Sequence, residues 1–263
     1  MKKILFYALL ITNCALLFSG CGSDDKVKVG SIKYLNVTEE AMSNLYANNC
    51  QFIFFDNMSN MTAALDANQI NELSTYESVA NYLIASHQDF ELARDDFNIS
   101  DLFCCAMREE DTDLKKEFDD AIKTLSANGK LAHLVKEYVI DSNHLETPPV
   151  IDFPTFYGAP TVKIALTGDL PLMDYFRPDG LPAGFNIALL AEISKLIEKN
   201  FVFVQVDSGA RAIALTSKQV DVIFWVVVPK DNDILPVNLD KPDGIILTEP
   251  YFLDNLVRVK LRK

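Results

Sequence analysis

Along this chain the apolar residues switch between alternating and helical spacing, and each switch marks the border of an element. Val27 and Val29 flank Lys28, so 27–32 reads as a strand, and Thr38 is a candidate N-cap for a helix through Tyr46. Residues 52–55 read as a second strand. Over 58–67, Met58, Met61, Ala64 and Leu65 share one face, which predicts a helix. A short strand at 70–75 and a helix at 77–86 follow, and this alternation predicts a parallel α/β layer. The clearest helix is 112–127, where Leu114, Phe118, Ala121, Ile122 and Leu125 recur at helical spacing before an Asn128-Gly129 stop. Residues 130–139 read as another helix.

Residues 141–161 hold four of the eleven prolines and no clean period, so they read as a joint. Its aromatic residues Phe153, Phe156 and Tyr157 predict packing against the surface. A new pattern then begins: Val162, Ile164 and Leu166 alternate, a Gly-Asp-Leu-Pro turn follows, and Pro178-Asp179-Gly180 signals a hairpin. After Gly184, Ile187, Leu190, Ala191 and Ile197 form the stripe of a core-facing helix. Strand 201–206, helix 209–217 and the fully apolar strand 222–228 complete it; such a run suits a central parallel strand.

These segments resemble a known family, but in an unusual order. Residues 162–193 are similar to the opening of the first lobe of a type II extracellular solute-binding protein of the amino-acid-binding kind. Segments 51–84 and 103–139 resemble its second lobe and closing stretch, and 248–260 resembles the end of the first lobe. The resemblance implies a two-lobed, periplasmic-binding-protein-like (type II) α/β fold, circularly permuted, with the lobes joined by two hinge strands. The expected division is lobe two at 29–103, a hinge strand at 104–107, lobe one at 108–255 with the joint at 141–161, and a second hinge strand at 256–263.

The N-terminus carries its own signal. Lys2 and Lys3 precede an apolar run from Ile4 to Phe18, and Ser19-Gly20-Cys21 resembles a bacterial lipoprotein cleavage box. It predicts a signal peptide over 1–20, a lipidated Cys21 and a polar tether over 21–28, hence a cell-envelope protein facing the periplasm or exterior. The net charge of −13 gives no electrostatic footprint for nucleic acid. Cys50 pairs with Cys104 or Cys105, or all three are buried free thiols; the spacing allows both. His87, His133 and His144 lack metal-ligand spacing, and no phosphate loop or nucleophile elbow occurs, so no cofactor or metal is expected.

The family's ligand lies between the lobes, where strand-to-helix turns face each other. By that resemblance the ligand-contacting candidates are Asn36, Thr38, Tyr76 and Glu77 from lobe two, and Asp169, Leu170, Tyr175, Arg211, Trp225 and Val226 from lobe one. Trp225 fits either the cleft or the core. Arg211 reads as an anion ligand or as an ion pair on its helix. Amino-acid binders of the family carry an arginine after the central strand, whose fork grips the ligand carboxylate; here 226–238 holds none, and Lys230 lacks the planar geometry. The family's ammonium-binding aspartate falls on Tyr76. The expected function is capture of a small solute by a monomer, for an ABC-type permease or a membrane sensor. The alternatives are a non-transport lipoprotein with a degenerate cleft, or a dehydratase- or transglycosylase-like enzyme using Glu77 or Asp169.

Overall fold

A computed structural model describes residues 26–45, 49–93, 99–141, 149–231 and 240–263. Cys21, the signal segment, the tether up to residue 25, Tyr46 and His144 lie outside the described residues. The front of the chain alternates strand and helix: β1 Val27–Ile32, α1 Glu39–Leu45, β2 Cys50–Phe55, α2 Met58–Asp66, β3 Glu72–Tyr76, α3 Glu77–Ser86 and β4 Phe90–Leu92. Strand β1 pairs in parallel with β2 and β3, as strand–helix crossovers require. Met58, Met61, Ala64 and Leu65 are buried on α2, and Asn57 caps it by accepting from the Asn60 amide at 2.9 Å.

Strand β5 Ser100–Arg108 leaves this half, and α4 Thr112–Ala127 and α5 Lys130–Val135 follow it; the helix expected to reach 139 continues as a π-helical turn over Lys136–Ile140. The back half contains β6 Thr161–Leu166, the small strands β7 Asp169–Leu170, β8 Asp174–Phe176 and β9 Pro182–Ala183, then α6 Phe185–Ile197, β10 Asn200–Gln205, α7 Arg211–Thr216, β11 Val222–Pro229, β12 Ile245–Leu247 and β13 Phe252–Leu261. A 3-10 turn at Ser208–Ala210 precedes α7, which shortens the helix expected at 209–217. Gly184 at φ 108 starts α6 where a Cβ would lie 2.4 Å from the Met173 carbonyl, so no larger residue fits.

The strands form one hydrogen-bonded path, β10-β6-β11-β5-β13-β3-β1-β2, with β12 beside β5 and β4 beside β13. Each half repeats one order: its second strand, first strand, third strand, then an antiparallel strand shared with the other half. In the front half that strand is β13, and in the back half it is β5. The two crossing strands pair with each other from Phe252↔Phe103 to Asn255↔Ser100. These pairs precede the 104–107 and 256–263 segments read as hinges, because the polar Ser100-Asp101 start of β5 hid its extent. Helices α4 and α5 pack on α6 of the back half, and Phe118 stacks on Phe201 at 5.8 Å.

One apolar cluster runs from Val29 and Phe52 through Phe103 to Ile164 and Val259, so both halves share a core. Phe153 of the joint packs on Phe203 at 5.0 Å, but Tyr157 is 99% exposed, contrary to the packing expected of it. Cys50, Cys104 and Cys105 are buried free thiols, and burial pushes the Cys104 thiol up to about 12. No helix among the described residues is long and apolar enough to cross a membrane.

Candidate functional site

The strand ends of both halves converge on a cavity of about 30 Å³. From the front half it is lined by Ser31 near the end of β1, by Lys33 just after it and by Thr75 and Tyr76 at the end of β3; from the back half by Leu170, Arg211, Trp225, Val226 and Asp240. This is where parallel strands end and their helices begin, the usual place for a ligand in an α/β sheet. Of the residues nominated from sequence, Tyr76, Leu170, Arg211, Trp225 and Val226 line the cavity. Asn36, Thr38, Glu77, Asp169 and Tyr175 do not. Thr38 is exposed and accepts from the Ala41 amide at 3.2 Å, and exposed Glu77 accepts from Asn255 Nδ2 at 2.8 Å. Tyr175 is half-buried on β8, with its hydroxyl pushed up to about 12 chiefly by burial.

Arg211 is 2% exposed, which rules out an ion pair on the helix surface. Its Nε donates to Ser208 O at 3.2 Å, one terminal nitrogen to Trp225 O at 2.7 Å and the other to Lys33 O across the cleft at 3.0 Å. The guanidinium also lies 5.3 Å from the Trp225 ring centroid. Burial lowers its pKa, while the negative charges of Asp240 and Asp174 oppose that shift. Buried Asp240 accepts from the amides of Asn36 at 2.8 Å and Val37 at 3.3 Å, both in the front half. Burial raises its pKa against those amides and Arg211. Asp169, nominated as a ligand contact, instead accepts from the Met58 and Ser59 amides at 2.6 and 3.3 Å, at the start of α2.

Behind the cavity, Asp174 is 0% exposed and gathers four donors. Thr167 Oγ1 donates at 3.1 Å, the Gly168 amide at 3.0 Å, Asn186 Nδ2 at 3.2 Å and Trp225 Nε1 at 3.0 Å. Burial outweighs these hydrogen bonds and raises its pKa to about 6. Trp225 is thereby both a cavity wall and part of the core, meeting Phe103 at 5.4 Å and Tyr76 edge-on at 6.1 Å. The crossing strands hold a carboxylate pair, Asp101 opposite Asp254. Tyr76 OH donates to Asp101 at 3.0 Å and Ser78 Oγ to Asp254 at 2.5 Å; burial raises Asp101 to about 6. Sequence reasoning missed Asp174, Asp101 and Asp240. Asp174 follows Leu170-Pro171 in what reads as a turn, and only a carboxylate surrounded by apolar residues hinted at its burial.

No family model matches the chain, and no curated protein matches its sequence. Among solved structures it is similar to the GluR0 ligand-binding core in complex with L-glutamate, at 11% identity over 92% of this chain and 87% of that one, with a TM-score of 0.39. It is also similar to the ligand-binding component of an ABC-type import system from Staphylococcus aureus, at 11% identity over 90% and 66% of the two chains, TM-score 0.43. A third is the alkanesulfonate-binding protein SsuA from Xanthomonas axonopodis pv. citri, at 10% identity over 90% and 66%, TM-score 0.42.

Proposed function

We propose that this protein is a two-lobed solute-binding protein whose lobes are spliced in permuted order and whose ligand enters between them. The observation that carries the reading is the cavity itself, bounded by the strand ends of both halves and backed by the two strands that cross between them. A solute touching Tyr76 and Thr75 on one side and Arg211 and Trp225 on the other favours the closed arrangement, because only that arrangement supplies both sets of contacts. Drug-sized ligand pockets span roughly 300–1,000 Å³. A cavity of about 30 Å³ has room for a water-sized group, so a larger solute requires the halves to part first. The N-terminal pattern supports a lipid anchor at Cys21, which would hold the protein at a membrane beside an ABC-type permease or sensor.

The same volume, together with an Arg211 already satisfied by three carbonyls, favours a second reading: a lipoprotein whose cleft has lost ligand binding. The enzyme reading is weaker, since Glu77 lies off the cavity and Asp169 is committed to α2 amides. Native mass spectrometry of the purified protein, then a thermal-shift panel of amino acids, organic acids and nucleobases, separates the first two. Solute binding predicts saturable stabilisation of about 2.7 kcal/mol at a hundredfold excess over Kd. A flat response across every class would favour the lost-ligand reading.

A further inference from the structure

Two sets of contacts between the halves share one polarity. Backbone amides face the cleft from the front half, and carboxylates meet them from the back half. Asp169 on β7 accepts from Met58 and Ser59, and Asp240 before β12 accepts from Asn36 and Val37. Two further bonds close the ring: the Ser208 amide donates to Asp56 O at 3.2 Å, and Arg211 donates to Lys33 O at 3.0 Å. Asp240 lines the cavity and Asp169 neighbours its lining residue Leu170, so both carboxylates lie at the seam between the halves.

We infer that Asp169 and Asp240 form an intramolecular latch that holds the two halves closed without a solute, each carboxylate taking amides that a ligand's anionic group would otherwise contact. The inference rests on the two-lobed reading for its meaning, but its test needs no solute. A binding protein held open until its ligand arrives has solvated amides at these positions. Here they are satisfied by the protein's own side chains, so a solute must displace the latch or enter while it is transiently released. The four donors are well suited as reporters: amides in the first turn of a helix, and in the bend before one, have no intrahelical partner and normally exchange fast.

The test is amide hydrogen exchange and small-angle scattering on the full chain, purified free of solute, beside an Asp169→Ala/Asp240→Ala double variant. The latch predicts slow exchange at Asn36, Val37, Met58 and Ser59 in the unsubstituted protein. In the variant it predicts at least tenfold faster exchange at those four amides, unchanged exchange at Val29 and Phe52, and a larger radius of gyration. Fast exchange at the four amides in the unsubstituted protein overturns the inference, and so does a double variant that differs in neither readout. If the double substitution also frees Val29 and Phe52, the decision passes to the single variant Asp169→Ala, which must still accelerate Met58 and Ser59 selectively. Either failure would leave the solute-binding reading standing, since the ligand panel tests that separately.

Discussion

The two halves share one strand order but present opposite chemistry to the cleft between them. The front half offers main-chain donors at Asn36, Val37, Met58 and Ser59, and its side chains there are hydroxyls, two phenols and a half-exposed Lys33 ion-paired with Asp56 at 3.0 Å. The back half offers buried charges: Arg211, Asp240 and, behind them, Asp174. A repeated fold therefore does not repeat a site. The front half contributes groups that any folded backbone supplies, whereas the back half contributes charges that must be compensated to be buried at all. Substitutions should consequently cost far more on the back wall than on the front rim.

The largest effect is expected at Arg211. Its replacement by leucine leaves three carbonyls without their donor and removes the positive charge beside Asp240, so stability should fall by about 3–5 kcal/mol in denaturant unfolding. Phe103→Ala should cost about 3–5 kcal/mol as well, because this fully buried ring meets Tyr76, Trp225, Tyr251 and Phe252 where the halves join. Both losses compare the shared seam with the rim, where Glu77→Gln should stay within about 0.5 kcal/mol.

A pH series sharpens the same contrast. Folded Asp174 and Asp101 hold their protons up to about pH 6, whereas an unfolded aspartate releases its proton near 3.8. Between those values the native state binds more protons than the unfolded one. Stability is therefore fully present below about pH 4 and declines as pH rises to about 6, by up to about 3 kcal/mol per aspartate. Asp174→Asn should flatten that decline while lowering stability by about 1–3 kcal/mol, because an amide cannot accept from all four donors. A stability curve that instead rises from pH 4 to 6 would show that these carboxylates are charged and compensated in the folded protein.

Much of the fold was legible because burial on both faces writes itself into composition: Val222–Pro229 is almost wholly apolar, and it is the interior strand β11, although it runs parallel only to β6 and antiparallel to β5 rather than as the all-parallel strand expected. The start of β5 was not, since Ser100 and Asp101 are polar and Asp101 is buried only through Tyr76 and the opposing strand. Arg211 reads from the sequence as an anion ligand or a helix ion pair, but a guanidinium bonded to Lys33 and Trp225 carbonyls leaves no trace in the local pattern. Asp240 meets Asn36 across 204 positions of chain, beyond any periodicity. Glu77 lies off the cavity for the converse reason. Adjacency to Tyr76 made it a candidate, yet at the start of α3 it points to Asn255 at the surface.

The account depends on one cleft being shared by two halves of a single body, and a distance between them tests this most directly. Spin labels attached by non-cysteine chemistry at exposed Asn81 on α3 and Ile213 on α7 report that distance in solution. A single narrow distribution in the solute-free protein, shifting to longer distances in the Asp169→Ala/Asp240→Ala variant, is the predicted result. A broad distribution in the unsubstituted protein, unaffected by either substitution, would contradict it.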